Sequence, residues 1–473
     1  MLVVTSNWCV PDGTIGVGPS SGLVDRFRAE VRRSSLRRGF RSDGMYRPVD
    51  AVDVVLAGDT FDWLTSREWV GEVRPWDPGR RADAARERVA AGSLRHAARL
   101  LATLAAWTRR GIEVPEADGR GRPVLSSQRH VPVRVTVLCG DRDRWLEHVA
   151  CSRAAVARVA AIGTCWSDGG VTVRHGEDLD PLWMAGGREP TLGESLAVDL
   201  FTRFGGTLGA VATLRPLAAL LLRRLTGGRF IDAPLRLAGW LTECDRNATL
   251  PGKMRQDLLD AWNRSVACWH LAARRLSLCG DDGVDLVAAL ATALEINAAV
   301  ACAGEWGPSS GTWPEALDSA LCQVAASIPP AMAADETVSA RGIAETAVVV
   351  LGHPAMESVP SMSGRSQVVC LGPQAIQRGH DSRRWPAATM RSGGIGQWST
   401  AGGDTAATPM AVVICPEDFS MGSDSGTGRE SRTEWLSMGN ASRGRNGHLR
   451  DGAVHGVWWS DAVRAGQIVI DAA

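Results

Sequence analysis

Apolar residues in the first part of the chain follow two rhythms. Short valine-rich runs at Leu2–Thr5, Val52–Ala57, Val133–Cys139 and Val171–Arg174, bounded by Gly or Asp, predict β-strands. Between them, Gly22–Arg38, Arg81–Arg110 and Trp145–Ala161 carry helical patterns. In the second of these, Val89, Leu94, Ala97, Leu101, Leu104 and Trp107 approximate a single stripe. Strand–helix alternation of this kind predicts a layered α/β core.

The rhythm changes at about residue 191. Leu192, Leu196, Leu200 and Phe204 recur every fourth residue, and Leu258, Trp262, Val266 and Trp269 form a second stripe. Val284, Val287, Leu290 and Leu294 form a third. No strand pattern interrupts 191–345, so this region predicts an insertion of several helices. Strand runs return at Ala347–Leu351, Gln367–Leu371, Ala411–Cys415, Val454–Trp459 and Gln467–Asp471. The Gly/Ser-rich stretches Arg391–Thr408 and Ser420–Gly452 read as long loops or linkers. The expected division is 1–190 for the first half of the core, 191–345 for the helical insertion, and 346–473 for the second half with its loops.

Composition narrows the class. Lys+Arg 52 cancels Asp+Glu 52, Lys253 being the sole lysine, with 45% hydrophobic and 22% charged residues. These values exclude a disordered chain, a collagen-like chain and a strongly basic nucleic-acid arm, so nucleic acid is not an expected partner. The 11 cysteines are odd in number and form no Cys-x-x-Cys pair, which favours reduced thiols and a cytoplasmic setting. No basic region or small-residue cleavage site accompanies Leu2-Val3-Val4, so no signal peptide is expected. The apolar stretch Leu208–Leu222, broken by Arg215 and Pro216, is shorter than the ~20 residues of a spanning helix. It reads as a buried helix, with peripheral membrane contact through the insertion as the alternative, since Arg223 and Arg224 follow.

The candidate chemistry sits where strands end. Val54-Val55-Leu56-Ala57 runs into Gly58-Asp59, and Val135–Cys139 runs into Gly140-Asp141. Val173-Arg174 is followed by His175-Gly176, and Val350-Leu351 by Gly352-His353. Four strand ends thus deliver Asp59, Asp141, His175 and His353, each beside a glycine that permits close backbone approach. Open α/β sheets place ligands at this edge. Two carboxylates and two imidazoles suit a divalent transition metal such as Mn, Fe or Zn.

This ordered set resembles the calcineurin-like metallophosphoesterases. Gly58-Asp59-Thr60-Phe61-Asp62 is similar to their Gly-Asp-x-x-Asp motif, His175-Gly176 to the central His-Gly, and Gly352-His353 to the start of the closing Gly-His-x-His. Val368-Val369-Cys370-Leu371-Gly372 looks like the family's closing strand. The resemblance covers about 1–205 and 345–375 and looks closest to bacterial members akin to the UDP-diacylglucosamine hydrolases. It implies an α-β-β-α sandwich carrying the large helical insertion, and a metal-dependent hydrolase acting on a phosphoester or phosphorylated small molecule.

The departures from the family pattern are as informative. The first motif falls at Asn7-Trp8-Cys9, where the family has Asp-x-His. The third reads Gly140-Asp141-Arg142-Asp143, with Asp for Asn and Arg for the catalytic His. The last reads Gly352-His353-Pro354-Ala355, without its second His. Carried over, one metal position would comprise Asn7, Cys9, Asp59 and Ala355 and is degraded, whereas the other comprises Asp59, Asp141, His175 and His353 and keeps four ligands. The resemblance therefore implies at most one divalent ion. Arg142 cannot serve as a general acid, because its pKa exceeds ~12, but it suits phosphate binding. Asp62, Asp143 and Asp180 are expected as supporting carboxylates, with Asp62 and Asp180 orienting histidine rings. Trp8, Trp63, Trp145 and Trp183 lie near these motifs and either pack strand ends or wall a pocket mouth. The functional readings are a modified phosphoesterase, an inactive relative that binds a phosphorylated ligand or protein partner, and a fold kept for assembly.

Overall fold

Strand β3 (Val52–Ala57) shows why the core is layered. All its residues except Asp53 are buried, and they alternate between two apolar layers. A strand covered on both faces requires such a continuous apolar run. The computed structural model describes residues 1–15, 21–41, 43–168, 171–177, 183, 190–211, 214, 252–276 and 348–353, with the backbone of 367–370, 411–414 and 434–436.

The chain runs through β1 (Leu2–Thr5), β2 (Val10–Pro11), α1 (Ser21–Arg38), β3, β4 (Phe61–Asp62), α2 (Arg80–His96) and α3 (Ala98–Arg110). It continues with β5 (Ile112–Ala117), β6 (Pro123–Val131), β7 (Val133–Leu138), α4 (Ala150–Val156), β8 (Ala161–Gly163), β9 (Cys165–Asp168) and β10 (Val171–Arg174). After the insertion come β11 (Val348–Leu351), β12 (Gln367–Cys370), β13 (Ala411–Ile414) and β14 (Glu434–Leu436). A six-stranded sheet has the order β14-β13-β1-β3-β7-β8, and a four-stranded sheet the order β12-β11-β10-β9. Within the first, β1, β3, β7 and β8 are parallel, and within the second β10, β11 and β12 are parallel.

Leu2, Val4, Val55, Ala57 and Leu138 from the first sheet meet Val171, Val173 and Val350 from the second, forming the layer between the sheets. The opposite face of the first sheet presents Val3, Val54, Leu56, Val135 and Val137 to Phe27 and Val31 of α1, Val89 of α2, and Leu100, Leu104 and Trp107 of α3. The fold is thus an α/β sandwich of mixed sheets with a helical insertion between the parallel neighbours β10 and β11, as the sequence pattern predicts.

Thr191 opens the described part of the insertion with a capping box: its side chain accepts from Glu194 N while Glu194 accepts from Thr191 N. Helix α5 (Leu192–Ser195), a π-helical stretch (Leu196–Thr202) and α6 (Arg203–Ala210) follow without a break. Helix α7 (Gly252–Arg275) lies against them, with Trp262 edge-on to Phe204 at 5.2 Å between ring centroids. Trp269 Nε1 donates to Ser195 Oγ at 3.1 Å. Thr202 Oγ1 donates to Leu64 O at 2.9 Å and Arg74 Nε meets Asp199 Oδ1 at 2.5 Å, tying these helices to the core. The stripe from Val284 to Leu294 lies outside the described residues, as does most of Leu208–Leu222. Among the described residues, no helix is long and apolar enough to cross a membrane.

Several sequence expectations are corrected. The helix expected over 81–110 is two helices, because Ala97 turns out of the helical path at ψ −1° without a proline or glycine to mark it. The helix expected over 145–161 shrinks to α4, and Ala161–Gly163 becomes an edge strand. Pairing with Thr136–Leu138 of β7 outweighs local helix preference there. The β5–β6 hairpin was not expected, since most of β6 is exposed and lacks apolar alternation, although Asp118-Gly119 and Gly121 mark its turn. Glu434–Leu436 pairs with β13 inside a stretch expected as linker. The strands expected at 454–459 and 467–471 lie outside the described residues.

Candidate metal centre

The loops leaving β1 and β3 are held in an unusual backbone conformation. Asn7, Cys9 and Asp59 have φ of 56°, 44° and 50°, the only positive values among described non-glycine residues. Such residues store about 1–3 kcal/mol each and persist only where their surroundings enforce the geometry. The enforcement is visible: Asn7 N donates to Gly58 O at 3.3 Å, Cys9 N to Asp59 O at 2.8 Å, and Val10 N to Thr60 O at 3.1 Å. Glycines allow the strand ends to close. A Cβ at Gly140 would lie 2.4 Å from Asp59 Oδ1, and one at Gly352 would lie 1.9 Å from Ala57 O.

Three ligand-type atoms converge at these ends. His175 Nε2 lies 2.7 Å from Asp141 Oδ1, His353 Nδ1 lies 3.0 Å from the same oxygen, and the two nitrogens are 3.3 Å apart. All three side chains are buried. His353 is set in place by its backbone N–H, which donates to His175 O at 2.8 Å. The other nitrogen of His175, Nδ1, lies 2.8 Å from Ala57 O. A carbonyl can only accept, so Nδ1 carries the proton and the neutral ring turns the lone pair of Nε2 toward a carboxylate oxygen. Two acceptors at 2.7 Å require either a shared proton or a metal ion between them. The spacings approach the ~3.4 Å edge of a tetrahedral shell with bonds of about 2.0–2.2 Å, so the donor set fits one divalent ion.

Charge in the centre is finely divided. Burial alone would raise the Asp141 carboxyl, but His353 and the hydrogen bonds from both rings hold it well below the usual range. Burial would lower His175, yet Asp59 and Asp141 raise it well above its ordinary value. Asp59 is pushed up to about 7 by burial and by Asp141. Its Oδ1 lies 3.5 Å from His175 Nε2 and accepts from Arg142 N at 3.0 Å. Its Oδ2 is buried without a hydrogen bond and faces Arg142 Nε at 3.5 Å. Arg142 Nη1 donates to Asp62 Oδ2 at 3.3 Å. Burial opposes the guanidinium's charge, but Asp62, Cys9 and Asp59 outweigh it, so Arg142 is held more firmly protonated than usual.

Other expected residues take different parts. Asp62 accepts from Thr65 N and faces Arg142, rather than orienting a histidine ring. The backbone carbonyl of Ala57 orients His175 instead, a group that side-chain motifs do not reveal. Asp143 accepts from Gly140 N at 2.7 Å and Phe61 N at 3.0 Å, pinning the loop after β7 to β4. Asn7 Nδ2 donates to Gly352 O at 2.7 Å and to Ser6 Oγ at 2.9 Å. Cys9 is partly buried beside this group, and its thiol is pushed up by burial against the pull of Arg142. Asp180 and Ala355 lie outside the described residues.

The tryptophans divide. Trp8 packs edge-on against Phe27 and Trp63 is buried beside Phe61, so both serve the core. Trp183 stands edge-on to His353 with centroids 6.3 Å apart, and Gly193 of the insertion leaves room for its ring. The guanidinium of Arg144 lies 4.5 Å over the Trp145 ring, and Arg144 Nε pairs with the buried Glu194 Oε1 at 2.6 Å. The sequence reading missed this contact between insertion and core. No family model matches the chain, and no curated protein or solved structure matches it.

Proposed function

We propose that the chain is a calcineurin-like metallophosphoesterase-type protein that holds one divalent transition ion, Mn, Fe or Zn, and binds a phosphoester there. Asp141, His175 and His353 would hold the ion, with Asp59 alongside. The observation that carries this reading is the convergence of His175 Nε2 on Asp141 Oδ1 when Ala57 O fixes the ring's proton on the other nitrogen. An ion there supplies Lewis-acid polarisation of a phosphoryl oxygen. The chain's own contribution is two buried carboxylates, of which Asp59 sits on a strained backbone, and two fixed imidazoles that keep the ligand geometry rigid.

Hydrolysis is the weaker half of the reading. In-line displacement usually employs two ions about 3.5–4 Å apart, one for each of the attacking and leaving oxygens. The side of Asp59 toward the β1 loop offers a neutral amide, a high-pKa thiol and a guanidinium that does not release a proton. A second reading, an inactive module binding a phosphorylated ligand, is favoured by Asn7, whose amide is engaged with Gly352 O and Ser6 Oγ.

Metal analysis of the purified full chain, followed by reconstitution, is the direct test. The expected result is about one equivalent of ion, lost in His175→Ala. An ion-free protein after reconstitution would sink the proposal. A chromogenic bis-aryl phosphate assay, with Asp59→Ala as control, separates the two readings. Turnover abolished by the substitution establishes hydrolysis, and binding without turnover establishes the inactive module.

A further inference from the structure

We infer that Arg142 stands in for a second metal ion, as a tethered cation between Asp59 and Asp62 that limits the centre to a single divalent ion. This rests on the single-ion reading above and specifies how the other half of the site is filled.

The geometry divides Asp59 between two cationic neighbours. Its Oδ1 faces the metal-ligand cluster, 3.5 Å from His175 Nε2. Its Oδ2 points the other way, 3.5 Å from Arg142 Nε, and accepts no hydrogen bond although it is buried. A carboxylate whose two oxygens face two separate positive positions is the arrangement of a bridging ligand. Arg142 secures it twice, because its backbone N–H also donates to Oδ1 at 3.0 Å.

The far end of the guanidinium meets Asp62 Oδ2 at 3.3 Å, and the side chain is only 8% exposed. Arginine is therefore directed inward, between carboxylates, where a phosphate would have to compete with both. The guanidinium places one fixed positive charge on that side. Among the described residues, Asp59 and Asp62 are the carboxylates paired with it, while Asn7 is neutral and donates elsewhere.

The test uses Co²⁺ alone as probe with the full chain. Wild type should retain about one equivalent with d–d absorption, and none of it in Asp141→Ala. Arg142→Gln and Arg142→Met remove the cation and uncover Asp59 Oδ2, Asp62 and the Cys9 thiol. Either variant, shown to be folded by circular dichroism, should retain about two equivalents. A thiolate-to-cobalt charge-transfer band from Cys9 should accompany the second ion. Arg142→Lys, which keeps the charge, should remain at one.

One equivalent in wild type and in both neutral variants overturns the inference while leaving the single-ion reading intact. A second equivalent on wild type likewise overturns it, and needs no variant to observe. No cobalt on wild type overturns the single-ion reading and this inference with it. Titration with inorganic phosphate provides a further arm. A tenfold or greater loss of phosphate affinity in Arg142→Gln, with stoichiometry unchanged at one, would make Arg142 an anion ligand and reject its role as a stand-in ion.

Discussion

His175 presents its Nε2 to Asp141 Oδ1 from 2.7 Å while its Nδ1 is committed to the carbonyl of Ala57. The pairing spans the ends of β10 and β7, so it depends on the two sheets stacking face to face with these strand ends together. Because the carbonyl takes one nitrogen, the other cannot become a neutral donor toward the carboxylate. The contact therefore needs a shared proton or a metal ion, and it links metal binding to protonation and stability.

Stability of the metal-free protein should fall as pH rises from about 5 to 8. Asp59, pushed up to about 7, and Asp143, raised by burial to about 6, keep protons in the folded state that the unfolded chain releases above about pH 4. His175 acts in the same direction. Its raised pKa contributes stability that is fully present below the unfolded value near 6.5 and is lost as pH climbs through the folded value. Asp141 has the opposite sign, but its stabilisation is lost only as pH falls below about 4. Thermal melts at pH 5, 6.5 and 8 should show the metal-free midpoint declining. Added divalent ion should flatten or reverse the trend, because its ligands bind deprotonated. A metal-free midpoint that climbs across this range would contradict the assigned charge states.

Gly352→Ala should be among the most damaging methyl additions at the described glycines. The new Cβ would lie 1.9 Å from Ala57 O, and this carbonyl also orients His175. The expected cost is at the upper end of the ~1–3 kcal/mol typical of overpacking, or beyond it, with metal affinity falling as well. Gly71→Ala is the control, since a Cβ there meets nothing within 4 Å, and it should change stability by no more than ~0.5 kcal/mol. Urea unfolding of both variants, with metal content measured in parallel, decides the matter. Equal stabilities would mean that the strand ends can separate freely.

Arg144 and Glu194 should couple energetically across the junction of core and insertion. Glu194 is buried, pairs with Arg144 Nε at 2.6 Å and accepts from Thr191 N at 2.8 Å. Removing Arg144 leaves a buried carboxylate short of its cation, at a cost of about 2–4 kcal/mol. Glu194→Ala loses the capping box as well as the pair. The double variant should be less destabilised than the sum of the singles by about 1 kcal/mol or more. A coupling energy near zero in the cycle would show that the two contribute independently.

Much of the architecture was legible because it is local. The valine-rich runs that form β1, β3, β7, β10 and β11 announce strands buried on both faces, and the structure places them within two residues of the expected bounds. The strand-end glycines also announce themselves, since a side chain at Gly58, Gly140 or Gly352 would strike the residues that come together there. The β5–β6 hairpin and the β8 edge strand were not legible. The first exposes most of its side chains, and the second exists through pairing with a strand 25 residues earlier in the register.

The sequence by itself determined which residue types reach the carboxyl edge and in what order: Asp59, Asp141, His175 and His353, with Arg142 where a titrating acid would be useful. Tertiary structure decided what each one faces. His353 meets Asp141 across 212 residues of chain, and Arg142 meets Asp62 across 80. Such contacts depend on the twist and stacking of two sheets and on strained loops after β1 and β3, none of which is encoded in residue spacing. That is why Arg142 could be foreseen as a phosphate ligand yet is found turned inward between two carboxylates. A buried guanidinium goes to the nearest anions that offset its lost hydration, and only the fold shows where those anions are.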